Sequence, residues 1–259
     1  VFSNTVLQPK DQLRVHVTEK KTSDQIVPVP MDLSVVFEDE HVLVIDKPAG
    51  MPVHPSQGHY ENTLANGIAW YYRNEATPFV FRAVNRLDRD TSGLVLLAKN
   101  PYSSCVLSDA VKDHTIHREY AAIVSGKTDA SGTIDLPIAR KDGSTIERVC
   151  DPERGETAVT HYRTFAYNKD ADISFIRLLL ETGRTHQIRV HMKAIGHPLP
   201  GDFLYCPDYR FIDRQPLHST YLRFSHPVTG EKLEFSASLP EDMRKLFPDI
   251  KNPSGPVFF

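Results

Sequence analysis

Short runs of β-branched and aromatic residues, each closed by a turn-forming cluster, recur along most of this 259-residue chain. Residues 34–46 (SVVFEDEHVLVID) place two such runs on either side of a short acidic turn, the pattern of a hairpin. Similar runs predict strands over 94–99, 119–124, 158–167, 173–180, 221–225 and 233–237, with Pro227 to Gly230 turning the last pair. Helical spacing appears in three stretches. Residues 62–73 carry Leu64, Ile68 and Tyr71 or Tyr72 on one face. Residues 100–116 open with Asn100 as a capping side chain and Pro101 in the first turn, with Val106, Ala110 and Val111 as the inner face. From about Thr185 to Ile195, residues Ile188, Met192 and Ile195 recur at i, i+4 and i+7, and Gly196 and Pro198 supply the stop. Strands outnumbering helices in this way imply an α+β body built on a mixed or antiparallel sheet.

Composition narrows the class. Apolar residues make up 40% and charged residues 24%, the balance of a soluble globular protein. No run approaches the ~18 uninterrupted apolar residues of a membrane span, so no membrane partner is expected. The chain starts at Val1, and its first stretch lacks the charged-then-apolar order of a secretory signal, so it reads as a fragment. Cys105, Cys150 and Cys206 are scattered and never spaced as a metal-binding pair. They suggest neither a disulfide framework nor zinc, and a cytoplasmic, reducing location fits best. A formal net charge of -3 argues against coating nucleic acid by bulk attraction, so any nucleic-acid surface must be local. Residues 1–30 form a unit apart, ending in the extended linker Val27-Pro28-Val29-Pro30, and residues 31–259 form the main domain.

The densest chemistry lies in residues 84–99, VNRLDRDTSGLVLLAK. Arg86 and Arg89 flank Asp88, a Thr-Ser-Gly turn follows, and a buried-type strand comes next. Charge beside a turn suits a site on a loop held by a scaffold. It suits equally a surface loop whose Asp88 makes exposed ion pairs of little worth, and the pattern alone leaves the two open.

The stretch RLDRDTSG resembles the signature of RluA-type pseudouridine synthases, usually His-Arg-Leu-Asp, two variable residues, then Thr-Ser-Gly. Three further stretches match the same family in order: VLVIDKPAGMPVHP (42–55), REYAAIV (118–124) and ETGRTHQIRVHMKAIGHPLPGD (181–202). Together they run from about Ser34 to Pro240, and four ordered motifs are far more specific than one. The resemblance implies an α+β catalytic domain with a mixed, largely antiparallel central sheet, flanking helices and loops, and a central cleft between two lobes. It implies isomerisation of uridine to pseudouridine within ribosomal or transfer RNA, with no cofactor, no metal and no obligate protein partner.

It also implies roles for particular residues. Asp88 becomes the essential carboxylate. A carboxylate in a partly desolvated cleft is pushed towards its neutral form unless a cation counters this, and by resemblance that cation is Arg184, in a bidentate pair. Tyr120 matches an aromatic residue that stacks on the target base, although on its own it would read as a core tyrosine of a strand. Arg86 resembles the position that fills the gap left by a flipped nucleotide, or it contacts phosphate. Ile188 offers an apolar contact to the uracil, or it is ordinary core.

Two departures stand out. Asn85 occupies the usual histidine position, which asparagine can fill if the side chain mainly orients the loop, since both donate and accept. The start, NTVLQPKDQLRVHV, is similar to the last strands of a small RNA-binding domain shared with a ribosomal small-subunit protein, but Lys10 stands where glycine is usual before Asp11. Two other readings compete. A metal-dependent RNA hydrolase would use His186, His191 and His197 with His54 and His59, but i, i+5 spacing does not align two imidazoles on one helical face. Arg82, Arg86, Arg89, Arg118, Arg177, Arg184, Arg189 and Lys193 could supply a basic groove for the enzyme or for a non-catalytic RNA-binding module, but such a module has no need of an isolated carboxylate among phosphates.

Overall fold

The computed structural model describes residues 4–12, 19, 23, 25–74, 80–251 and 255–258. Of the strands expected over 4–17, residues 13–17 lie outside the described residues, and 4–12 carry no strand. Gln8 to Asp11 form a turn in which Lys10 adopts φ 80, the left-handed region where glycine is at ease.

Eleven strands and four helices follow among the described residues: β1 (Ser34–Glu38), β2 (Val42–Lys47), α1 (Leu64–Tyr71), β3 (Ser92–Ala98), α2 (Pro101–Lys112), β4 (His117–Ser125), β5 (Ser131–Asp135), β6 (Ile138–Arg140), β7 (Arg148–Cys150), β8 (Val159–Asn168), β9 (Ile173–Leu180), α3 (Gln187–Ala194), β10 (Leu217–Ser225), β11 (Lys232–Ser236) and α4 (Glu241–Leu246). Nine strands make one sheet in the order β1-β2-β3-β10-β4-β9-β8-β5, with β11 added to β10. Every pairing is antiparallel except β3 with β10, which is parallel. The α+β class and the mixed, largely antiparallel sheet are as the sequence suggested.

Burial explains why the central strands read as continuous apolar runs. Elements pack on both faces of the sheet, so β3 is buried at all seven positions. On one face Leu43, Ile45, Val95, Tyr120, Ala122, Ile176, Ile188 and Met192 share a core; on the other, Leu94, Leu96, Leu107 and Phe224 pack together, and Ile123, Phe175 and Met243 form a further cluster. Helix α2 is capped as expected, the Asn100 side chain accepting from Ser103 N–H at 2.9 Å, but its innermost residues are Ser103 and Leu107 rather than Val106. Helix α3 ends at Gly196 (φ 86) in a paired cap: His197 N–H donates to Met192 O at 2.8 Å and Gly196 N–H to Lys193 O at 3.1 Å. Strands β5 to β7 and helix α4 went unpredicted; β6 and β7 have three residues each, too short for alternation to register.

The glycine of the Thr-Ser-Gly turn is where the parallel pair closes. Gly93 sits opposite Ser219 with φ 109, and a β-carbon there would lie 2.3 Å from the Ser219 carbonyl oxygen. No side chain fits between these backbones. Gly93→Ala is therefore expected to lower the unfolding free energy by about 3 kcal/mol in urea titration, from steric overlap and the disfavoured φ together; a loss under about 1 kcal/mol would contradict this packing.

Candidate active site

A cleft of about 760 Å³ opens on the sheet face that carries Tyr120 and Ile188, within the usual range of ligand sites. Its walls come from the segment Ala83–Asp88, the end of α2, strand β4, and the junction of β9 with α3. The wall that carries Asp88 is fixed by identifiable bonds. Asn85 is buried, donating to Leu94 O at 3.2 Å and accepting from Leu96 N–H at 2.8 Å. It bolts the Asp88 loop to β3, using both the donor and the acceptor of its amide.

Lys47, from the Lys-Pro-x-Gly stretch, braces the loop from below. Fully buried, its ammonium donates to the carbonyls of Pro48, Met51 and Arg89 at 2.8, 2.7 and 3.0 Å. Burial pushes its pKa down to about 7, against the pull of Asp88 and Asp90. Three acceptors match the three protons of the charged form, and the bond to Arg89 O joins the two motifs.

Asp88 itself faces the cleft, its side chain 27% exposed. The cation that grips it is Arg189, not Arg184. Arg189 Nη1 lies 2.8 Å from Asp88 Oδ2, and its remaining donors make a fork to Asp202: Nε to Oδ2 at 2.6 Å and Nη2 to Oδ1 at 2.8 Å. Asp202 is fully buried and also accepts from the N–H groups of Leu204 and Tyr205. Burial works against the charge on Arg189, but the bonds to Asp202 and the nearby Asp88 outweigh it, holding the guanidinium above its ordinary pKa. His186 approaches Asp88 at 3.9 Å and gives its other ring nitrogen to the Tyr205 hydroxyl at 2.9 Å; burial lowers its pKa.

Arg184 stands at the rim. It is 40% exposed, pairs with Glu156 at 2.5 Å and donates to Thr157 O. The physical reason is position: it lies on the turn before α3, whereas Arg189 lies inside a helix buried on nearly all sides. An arginine in such a helix requires buried carboxylates, and Asp202 was visible as the acidic residue closing HPLPGD. Tyr120 and Ile188, 5% and 3% exposed, both line the cleft beside Asp88, and burial raises the Tyr120 pKa. Arg86 is exposed at the same mouth. The histidines do not assemble: His191 bonds Thr160 and Leu136 O, and His197 bonds Ser125 O. Among the described residues no group of three or more His, Cys, Asp or Glu could hold a metal. Nor is any helix among them long and apolar enough to cross a membrane.

A carboxylate fixed by a buried guanidinium in an open, cation-lined cleft can serve as a nucleophile or a base. The model of the RNA pseudouridylate synthase family matches residues 41–194, which contain Asp88, Tyr120 and Arg189. This chain belongs to the RluA-type RNA pseudouridine synthases. An uncharacterised RNA pseudouridine synthase of Bacillus subtilis is 45% identical over 242 residues, covering 93% of this chain and 84% of that one. The ribosomal large subunit pseudouridine synthase D of Zymomonas mobilis is 42% identical, covering 85% and 73%. Among solved structures, human RNA pseudouridylate synthase domain containing 1 superposes with a TM-score of 0.66 at 26% identity, covering 80% of this chain and 83% of that one.

The two arginines of this pseudouridine synthase separate cleanly by experiment. Arg189→Met should cut turnover at least a hundredfold, since it strands two carboxylates. Arg184→Met should leave turnover within about threefold and act mainly on RNA affinity. Equal losses of turnover from both would contradict the assignment.

Proposed function

We propose that Asp88 is the catalytic carboxylate and that it acts on a uridine flipped out of ribosomal RNA. The observation that carries the reading is the Asp88–Arg189–Asp202 chain, which engages Oδ2 of Asp88 and leaves Oδ1 3.9 Å from His186 Nε2, beyond hydrogen-bond reach. The reaction breaks the bond between uracil N1 and ribose C1′ and forms one between C5 and the same carbon. The hydrogen on C5 leaves to solvent and N1 gains a proton, so no redox partner is needed. Asp88 can open the sequence by attacking C1′, by attacking the base, or by taking a ribose proton, and in each case the ionised form is required.

Tyr120 and Ile188, which line the same cleft as Asp88, hold the flipped uracil. An aromatic face offsets about 1–3 kcal/mol of unstacking cost per base. Arg86, exposed at the mouth, fills the vacated stack, and Arg184 with Lys112 meets backbone phosphate at the rim. A ribosomal substrate is favoured over transfer RNA by the relatives whose names place them on the ribosomal large subunit.

Tritium release from transcripts labelled at uridine C5 tests the reading on both RNA classes. The parent should release tritium from the ribosomal transcript, and Asp88→Asn should release none while still binding RNA within about threefold. Equal release by the two proteins removes Asp88 from the chemistry, and binding without release by the parent favours a non-catalytic RNA-binding module.

A further inference from the structure

Arg118 is a buried cation without a counter-charge. It is 9% exposed and lines the cleft, yet no hydrogen bond or ion pair holds it among the described residues, and its Nε is shielded with no partner at all. The acidic groups of the cleft are engaged elsewhere: Asp88 with Arg189 at 2.8 Å, and Glu181 with His161 at 2.6 Å. Burying a guanidinium unpaired is costly, and a site that tolerates it in the free protein is suited to an anion that arrives with the ligand.

Room has been left for that anion's partner. A β-carbon on Gly183 would stand 3.3 Å from Arg118 Nη1, tighter than most side-chain contacts, and 3.5 Å from Nη2, an ordinary contact. Gly183 does not have the positive φ that would call for glycine on backbone grounds, so what it supplies is space beside the guanidinium. Arg118 and Tyr120 are two residues apart on β4 and so share one face of the strand. Alternate residues on a strand lie about 7 Å apart, comparable to the span from a nucleobase to its own phosphate.

We infer that Arg118 and Gly183 form a subsite for a phosphodiester adjoining the target uridine. The inference rests on the reading of Asp88 and Tyr120 as the place where the uridine sits, and it adds the group that fixes the nucleotide's backbone relative to its base. A planar guanidinium suits this task, since it can bond two phosphate oxygens at once. Anchoring the phosphate restricts the ribose while the base is detached, so the C5 face returns to the same C1′.

Uridine, uridine 3′-monophosphate and uridine 5′-monophosphate, titrated into the intact protein and followed by nuclear magnetic resonance, test the subsite without requiring turnover. One of the two monophosphates should bind at least fivefold more tightly than uridine, and added salt should shrink that advantage. Arg118→Gln should abolish it and Arg118→Lys retain part of it, with circular dichroism checking that each variant is folded. Equal binding of the three ligands by the parent, no binding of any, or an undiminished phosphate advantage in a folded Arg118→Gln protein would overturn the subsite. Failure of the Asp88 reading would show instead in tritium release, which these titrations do not use.

Discussion

Much of the site depends on one buried guanidinium. Arg189 spends two donors on Asp202 and a third on Asp88, so its position fixes the carboxylate that faces the cleft. The geometry is a chain rather than a pair. Asp202 is fully buried and further pinned by two backbone N–H groups, which makes it the fixed end, and Asp88 is the end that faces the cleft. A single ion pair at that depth would cost more in desolvation than it returned; a fork with shared hydrogen bonds satisfies each charge and also sets direction.

The fold exists around this arrangement in a specific sense. Asp88 comes from the loop before β3, Arg189 from α3 and Asp202 from the segment after it, so three separate parts of the chain must converge. Contacts outside the clamp support this convergence: Asn85 to β3, Lys47 to Arg89 O, and the close approach of Gly93 to Ser219 in the parallel pair. At Gly93 the backbones leave no room for a side chain. The motifs visible in the sequence are thus a mixture, in which Asp88 and Tyr120 line the cleft while Lys47, Asn85 and Gly93 hold the wall.

What was legible in the sequence follows the same division. The long central strands and capped helices announced themselves because apolar runs and capping residues are local signals, as at β9 and at Asn100. Family resemblance located Asp88, Tyr120 and Ile188 in one cleft. It failed for the arginine, since Arg184 and Arg189 lie five residues apart in the same motif and nothing local states which one is buried. The periodicity of α3 suggested a single inward face, but Gln187 to Met192 are all buried, and only the tertiary packing around the helix makes Arg189 an interior cation. Arg118 was read merely as one of several groove arginines for the same reason.

A double-mutant cycle on tritium release, combining Arg189→Met with Asp202→Asn, tests the clamp most directly. If Asp202 acts through Arg189, Asp202→Asn should slow turnover at least tenfold in the parent and less than about twofold once Arg189 is gone, as expected for residues that work as one unit. The same slowing in both backgrounds would mean that Asp202 serves the fold or the RNA by another route, and the chain from Asp202 to Asp88 would not be the origin of the carboxylate's placement.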